Sequence, residues 1–248
     1  MRFARRTRYL TRALLSPFSR TRLPLFSPSP LAGEGGESSR RVRGETSTRG
    51  KPYPSPVGEA PTPSPARGEG QDILLTFDDG PHAEHTPAVL DRLAAFGITA
   101  AFFLVGNRVT DPALVESIAA AGHTLGNHTF AHAIPCWSDI ALSRVDVRKC
   151  QELVPDATLF RPPMGRLTPG LWLAARRLKL QCVNWSLDSN DWRCRSEADA
   201  MQCAKEVLEL VRPGDIVLFH DDHRWIAPIL DVVLPELSRR VSFRRRSL

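Results

Sequence analysis

At 248 residues the chain has room for one large domain or two small ones, with ample material for a core. Its formal charge of +6 is unevenly spread: residues 1–70 hold 13 Lys/Arg against 5 Asp/Glu, and the rest of the chain holds 20 against 22. The basic excess therefore belongs to the N-terminal part, which argues against a nucleic-acid face on the remainder, and no stretch approaches the roughly 18 apolar residues of a transmembrane helix.

Residues 1–70 are rich in Pro, Ser, Gly and Arg and poor in aromatics, a composition that cannot bury enough apolar surface to offset ordering, so a disordered segment is expected there. Arg2, Arg5, Arg6, Arg8 and Arg12 precede only a short apolar run, Ala13-Leu14-Leu15, cut by Ser16-Pro17, which does not fit a standard secretory signal. A loose repeat, at residues 28–35 and again at 63–70, occurs twice and lacks a core-forming pattern, so it is no solenoid. A start site downstream of this segment would account for it.

From about Gln71 strand-like runs alternate with helix-like ones. Residues 72–77 read as a buried strand. Residues 86–96 read as a helix with Val89, Leu90, Leu93 and Phe96 on one face, and 99–105 as a strand rich in Phe and Ala. Asp111 followed by Pro112 opens the next helix, which Gly122 stops. Residues 123–127 form a strand, 168–178 a helix and 182–186 a strand. Ser196 with Asp199 is a capping box for a helix reaching residue 211. A turn at 212–215 leads into a strand at 216–219, and a last helix covers about 226–239. The segment after Leu234 is short and basic, which points to an incomplete last element. This alternation predicts an α/β fold with a parallel sheet, open or closed into a barrel. The five cysteines, Cys136, Cys150, Cys182, Cys194 and Cys203, form no Cys-x-x-Cys pair and read mainly as small buried apolar residues.

The chemistry-bearing residues gather where predicted strands end, as ligand-binding residues do in parallel α/β folds: Asp78 and Asp79, His128, Asp188 and Asp191, and His220. Thr76-Phe77-Asp78-Asp79-Gly80-Pro81 and His128-Thr129-Phe130-Ala131-His132 together offer one oxygen and two nitrogen ligands plus a spare carboxylate, which is the inventory of a catalytic metal site with a base beside it. If helical, the second motif puts both imidazoles on one face. Each motif alone is ordinary, since Asp-Gly is a common turn and a strand can end in a satisfied histidine. The order of five in one chain is not ordinary.

That order resembles the polysaccharide deacetylases of the NodB-homology type, carbohydrate esterase family 4. The matching motifs are Thr76–Gly80, His128–His132, Arg161-Pro162-Pro163-Met164-Gly165, Asp188-Ser189-Asn190-Asp191-Trp192 and Leu218-Phe219-His220, over roughly the last seven-tenths of the chain. The resemblance implies a distorted (β/α) barrel, usually seven-stranded, over residues 71–248. It implies a divalent metal, zinc with cobalt or nickel as alternatives, held by Asp79, His128 and His132. It makes Asp78 the general base paired with Arg161, His220 the general acid and Asp191 its tuning carboxylate. Trp192 and Leu218 would wall the groove and acetyl pocket, and the Met164 backbone N–H would help hold an oxyanion. Met164 stands where the family often has an aromatic. The implied activity is removal of N-acetyl groups from N-acetylhexosamine units of peptidoglycan, chitin-like oligomers or lipid-linked sugars. A metal polarises such an amide and activates water, a positioned carboxylate takes the water's proton, and a His⁺ protonates the leaving amine. The expected partner is the acetylated glycan, with no nucleic acid and no integral membrane segment, and the protein is expected to be a monomer. Competing readings are an O-acetyl esterase on a polysaccharide such as acetyl-xylan, a catalytically silent glycan binder, and a nucleic-acid binder using the Arg-rich head. His82, His85, His123 and His223 are read as structural or surface histidines, with His223, three residues past His220, also placed to line the mouth of the site.

Overall fold

The computed structural model describes residues 5–6, 72–134, 139–241 and 243. The expected disorder of residues 1–70 thus lies outside the described residues, except at Arg5–Arg6. In chain order the elements are β1 (Arg5–Arg6), β2 (Leu74–Asp78), α1 (His85–Ala95), β3 (Ala101–Leu104), α2 (Pro112–Ala120), β4 (Thr124–Asn127) and α3 (Ile140–Leu153), then β5 (Leu159–Phe160), α4 (Pro169–Arg177), β6 (Gln181–Cys182), β7 (Leu187–Asp188), α5 (Glu197–Leu210), β8 (Ile216–His220) and α6 (Ile226–Arg240).

The strands form one sheet in the order β1-β7-β8-β2-β3-β4-β5-β6. The seven from β7 to β6 run parallel, and β1 pairs antiparallel to β7 at one edge. The sheet curls into a half-barrel, the distorted α/β barrel that the family resemblance implies. Side chains alternate across it because the strand period is two. On the outer face Leu75, Phe77, Phe102, Leu104, Val217 and Phe219 are buried with Val89 and Leu93 of α1, Val207 of α5 and Ile229, Leu230 and Val233 of α6. The Phe77 ring lies 5.0 Å from Phe102 and 5.9 Å from Phe219. On the inner face Ala101, Phe103, Leu159 and Val183 form a smaller cluster, and the polar side chains of β2 and β8 share that face.

The helix starts follow their sequence signals. The Asp111 carboxylate accepts from the Ala113 N–H with Pro112 at the first position. The Thr168 hydroxyl accepts from the Leu171 N–H. Ser196 and Asp199 close the predicted capping box. Four elements differ from expectation. α3 and β5 carry no strong sequence signal; α3 is opened by Asp139, whose side chain accepts from the Leu142 N–H, and buries a narrow stripe of Ser143, Val147 and Cys150. The single strand expected at 182–186 is two short strands. β6 pairs with β5 and β7 with β8, and between them the carbonyls of Val183 and Asn184 accept from a buried guanidinium instead of a ladder. The last helix is complete, with Leu237 buried and Phe243 bridging to Ile73. Cys150, Cys194 and Cys203 are buried and Cys182 half-buried, all free, as their apolar reading predicts; Cys136 lies outside the described residues.

Gly126 shows how tightly the inner face is built. A Cβ there would sit 2.7 Å from Cε1 of Phe103, whose ring is fully buried. Gly126→Ala is expected to destabilise the fold by about 1–3 kcal/mol through overpacking, read as a lowered denaturant midpoint; an unchanged midpoint would contradict the stated packing.

Candidate active site

The site lies at the carboxyl ends of the strands, where β2, β4, β5 and β8 deliver Asp78, His128, Arg161 and His220. β2 ends at Asp78, and Asp79 follows with φ 71°, in the left-handed region that is uncommon for a residue with a Cβ. This twist turns consecutive carboxylates to different partners.

Asp79 Oδ1 is 3.1 Å from His132 Nε2 and 3.5 Å from His128 Nε2. The His128–His132 segment is not helical, contrary to the conditional expectation. Thr129 and His132 have φ of 65° and 48°. Asn127 Oδ1 accepts from the Thr129 N–H, and the Thr129 hydroxyl accepts from the His132 N–H. A β-branched residue at positive φ is strained, and here that strain folds the loop back so that the two rings lie 4.9 Å apart. His128 is buried, and its Nδ1 donates to the Arg161 carbonyl at 2.7 Å, since a carbonyl only accepts. That bond fixes the tautomer and turns the Nε2 lone pair toward Asp79. Burial pushes His128 down to about 3, so the ring is neutral, as a metal ligand must be.

Arg161 is fully buried at the end of β5. Its Nη1 donates to Asp78 Oδ1 at 2.6 Å and to Thr76 Oγ1 at 2.8 Å, Nε donates to the Val183 carbonyl and Nη2 to the Asn184 carbonyl. Its guanidinium carbon lies 4.0 Å from the centroid of Phe103, a cation–π contact. Asp78 keeps Oδ2 3.6 Å from His128 Nε2, beside the Asp79–His128–His132 group. Burial raises the Asp78 carboxyl above its ordinary range, although Arg161 and His220 pull the other way. The pairing of Arg161 with Asp78 that the resemblance implies is present, and dehydration makes the carboxylate more basic than a solvated Asp.

His220 closes β8 and is paired in register with Asp78 on β2. Its Nδ1 shares a proton with Asp191 Oδ1 at 2.7 Å, and its N–H donates to Asp191 Oδ2 at 2.7 Å. Burial alone would lower the imidazole, but the Asp191 carboxylate overrides it and carries His220 up to about 10. Asp191, though fully buried, is held well below the usual carboxylate range by its histidine neighbours. It sits in a short 3₁₀ turn, Asp191–Arg193, and also accepts from the Trp192 N–H.

The remaining predicted residues take less central places. Trp192 is half-exposed at the rim with Arg193 over its ring. Leu218 is buried on the same face of β8 as His220, two residues earlier. Met164 is half-exposed in a 3₁₀ turn at φ 55°, where the neighbouring Gly165 and Arg166 amides are already spent on the Pro162 and Pro163 carbonyls.

Among the other histidines, His123 is structural as read: its Nδ1 accepts from the Ala100 N–H. His82 Nδ1 accepts from the Glu84 and His85 N–H groups at the start of α1. His223, read as peripheral, is in the site: its Nε2 donates to Asp191 Oδ2 at 3.2 Å. Sequence reasoning also passed over Thr86, Arg108, Asp221 and Asp222: Arg108 and Asp221 bond the backbone of Asp79 and Asp78, and Asp222 and Thr86 bond Arg108 and Asp221 in turn. The acidic pair directly after the Leu218–His220 motif was the available signal.

The site fits a divalent metal. Asp79, His128 and His132 each offer one ligand atom within 4.8 Å of the others, and Asp79 Oδ1 is buried with no hydrogen-bond donor. An orphaned carboxylate oxygen facing two imidazole nitrogens is what a missing cation would satisfy.

The comparisons with known proteins agree with this geometry. A family model described as "Polysaccharide deacetylase" matches residues 66–183, which ends before the Asp191 and His220 motifs. A peptidoglycan-N-acetylglucosamine deacetylase of Bacillus cereus is 34% identical over 178 residues, 68% of this chain and 82% of that protein. A chitooligosaccharide deacetylase of Sinorhizobium fredii is 38% identical over 63% of this chain and 75% of its own length. Among solved structures, the peptidoglycan deacetylase PdaC from Bacillus subtilis superposes with a TM-score of 0.64 at 25% identity, covering 71% of this chain and 87% of that one. The fold, the ordered motifs and these relatives together make the chain a member of the polysaccharide deacetylase family.

Proposed function

We propose that this chain is a metal-dependent hydrolase that removes N-acetyl groups from N-acetylhexosamine units of a glycan. The observation that carries the reading is the division of labour at one strand end. Asp79 faces two imidazoles, while its neighbour Asp78 is kept apart from that group by Arg161 at 2.6 Å. A silent binding protein needs neither an unligated buried carboxylate nor the His220–Asp191 pair. Relatives named for peptidoglycan N-acetylglucosamine and for chitooligosaccharides favour an N-acetylated glycan over an O-acetylated one.

Asp79, His128 and His132 would hold the ion, and zinc suits their mixed nitrogen and oxygen set. When bound, the ion supplies Lewis-acid polarisation of the acetyl carbonyl and lowers the pKa of a water toward about 7. Asp78 Oδ2 takes the proton of the attacking water, and its raised pKa improves it as a base. His220, with Nδ1 committed to Asp191, turns Nε2 to the leaving nitrogen. Its proton passes to that nitrogen as the C–N bond breaks, giving acetate and the free amine. Trp192 at the rim and Leu218 beneath His220 line the sugar and acetyl sides. The Met164 amide is the proposed backbone donor to the oxyanion. Among the described residues no helix is long and apolar enough to cross a membrane. Residues 71–248 form the proposed catalytic domain, acting as a monomer.

Asp78→Asn is expected to retain zinc and lose at least about a hundredfold in kcat, whereas His128→Ala is expected to lose zinc; elemental analysis beside acetate-release assays separates the two, and an active Asp78→Asn enzyme would remove Asp78 as base. Asp191→Asn is expected to drop the His220 pKa well below about 10, because burial is then opposed only by the charges of Asp78 and Asp79. NMR titration of the imidazole reads this directly, and the alkaline limb of the activity profile should move to lower pH with it; a His220 pKa still near 10 would contradict the assigned pairing. Deleting residues 1–70 removes β1 and leaves every described residue of the buried clusters in place, so the shortened protein is expected to fold and release acetate at the full-length rate, and an insoluble or inactive product would refute the domain boundary.

A further inference from the structure

Four side chains from outside the five motifs, in two pairs, converge on the turn that carries Asp79. Below it, Asp221 enters fully buried from the end of β8. The Thr86 hydroxyl donates to Asp221 Oδ2 at 2.5 Å and accepts from the His82 N–H at 2.8 Å, tying the carboxyl to the start of α1. The other oxygen, Oδ1, is buried with no hydrogen-bond partner. The carboxyl rests directly on Gly80: a Cβ on Gly80 would lie 2.8 Å from Asp221 Cγ, so only glycine admits it. The Asp221 N–H also donates to the Asp78 carbonyl at 3.2 Å. Above the turn, Arg108 Nη1 donates to the Asp79 carbonyl and, at 2.8 Å, to Asp222 Oδ2. The Val105 N–H takes the Gly80 carbonyl at 2.7 Å. Neither acid points at the Asp79–His128–His132 group, so neither is a ligand.

We propose that Asp221 with Thr86, and Asp222 with Arg108, are positioning residues that grip the Asp79–Gly80 turn from its two sides and thereby set the affinity of the site for its metal. The inference rests on the metal-site reading above. Its physical basis is the conformation of Asp79. A non-glycine residue at φ 71° is held against its own preference, and this backbone is fixed by bonds to its carbonyl and to the next residue, not by Asp79's own side chain. Released from the clamp, Asp79 relaxes toward ordinary φ, and its Oδ1 leaves the two imidazoles. Groups that orient metal ligands typically affect affinity about 10–100-fold. The clamp also joins β8, which carries His220, to the turn that carries Asp78 and Asp79, so one acidic dipeptide indexes both halves of the site.

The test is zinc affinity, measured by competition with a chromophoric chelator on the full chain, beside thermal melts of the zinc-free proteins. Thr86→Val deletes the hydroxyl at nearly constant volume, Thr86→Ser restores it without the methyl group, and Arg108→Ala cuts the opposite arm at a partly exposed position. Thr86→Val and Arg108→Ala are expected to weaken zinc at least about tenfold, with Thr86→Ser close to wild type even where its melting temperature falls. A purely structural Thr86 would instead make affinity follow melting temperature. Zinc affinities of Arg108→Ala and Thr86→Val within twofold of wild type, when wild type binds and His128→Ala does not, would overturn the clamp. Failure of wild type itself to bind zinc would overturn the metal-site reading on which the clamp rests.

Discussion

The site depends on one buried cation. Arg161 places a guanidinium where no water reaches it, and every group around it is arranged to repay that dehydration. Asp78 supplies the countercharge, Thr76 and the Val183 and Asn184 carbonyls accept the remaining donors, and Phe103 offers its ring face. Its own carbonyl accepts the His128 Nδ1 proton. One residue therefore fixes the Asp78 carboxylate, the tautomer of His128 and the path of the chain between β6 and β7. A lysine has neither the planar fork nor the stacking surface to replace it.

Around that centre, burial acts with opposite results on groups a few ångströms apart. It pushes His128 down to about 3, which keeps the lone pair available. It raises Asp78, which would strengthen the proposed base. His220 experiences the same dehydration, yet the Asp191 carboxylate carries it up to about 10, which keeps a proton on the proposed acid. Because β2 and β8 are adjacent parallel strands, Asp78 and His220 are register partners, and opposed acid–base behaviour arises from one pair of strand ends. The stability carried by the His220–Asp191 pair is fully present below the ordinary imidazole value of about 6.5 and fades as pH rises through about 10.

Much of this was legible in the sequence. Strong local chemistry gave the helix caps at Asp111, Thr168 and Ser196, and long apolar runs gave β2, β3 and β8. Weaker elements escaped for identifiable reasons. α3 buries a small polar Ser143 and a Cys150 on a stripe interrupted by charges, so its periodicity is faint. β6 and β7 read as one strand because the apolar run continues through Val183 and Trp185, while the ladder is broken by carbonyls turned to Arg161, a tertiary effect no local pattern encodes. In the site, residue types and their order identified Asp79, His128 and His132, but not that His128–His132 would be a strained loop. His223, Thr86, Asp221, Asp222 and Arg108 lay outside the motifs. Their roles come from which strand ends are neighbours, and spacing along the chain does not carry that.

The central claim is that Asp79, His128 and His132 converge on one divalent ion while Asp78 stays unligated. X-ray absorption spectroscopy of the zinc-loaded protein tests it most directly. The account predicts two imidazole nitrogens and one carboxylate oxygen at about 2.0–2.2 Å, with one imidazole contribution removed by His132→Ala and an unchanged first coordination sphere in Asp78→Asn. Sulfur scattering from a cysteine, or a sphere that loses an oxygen in Asp78→Asn, would contradict it.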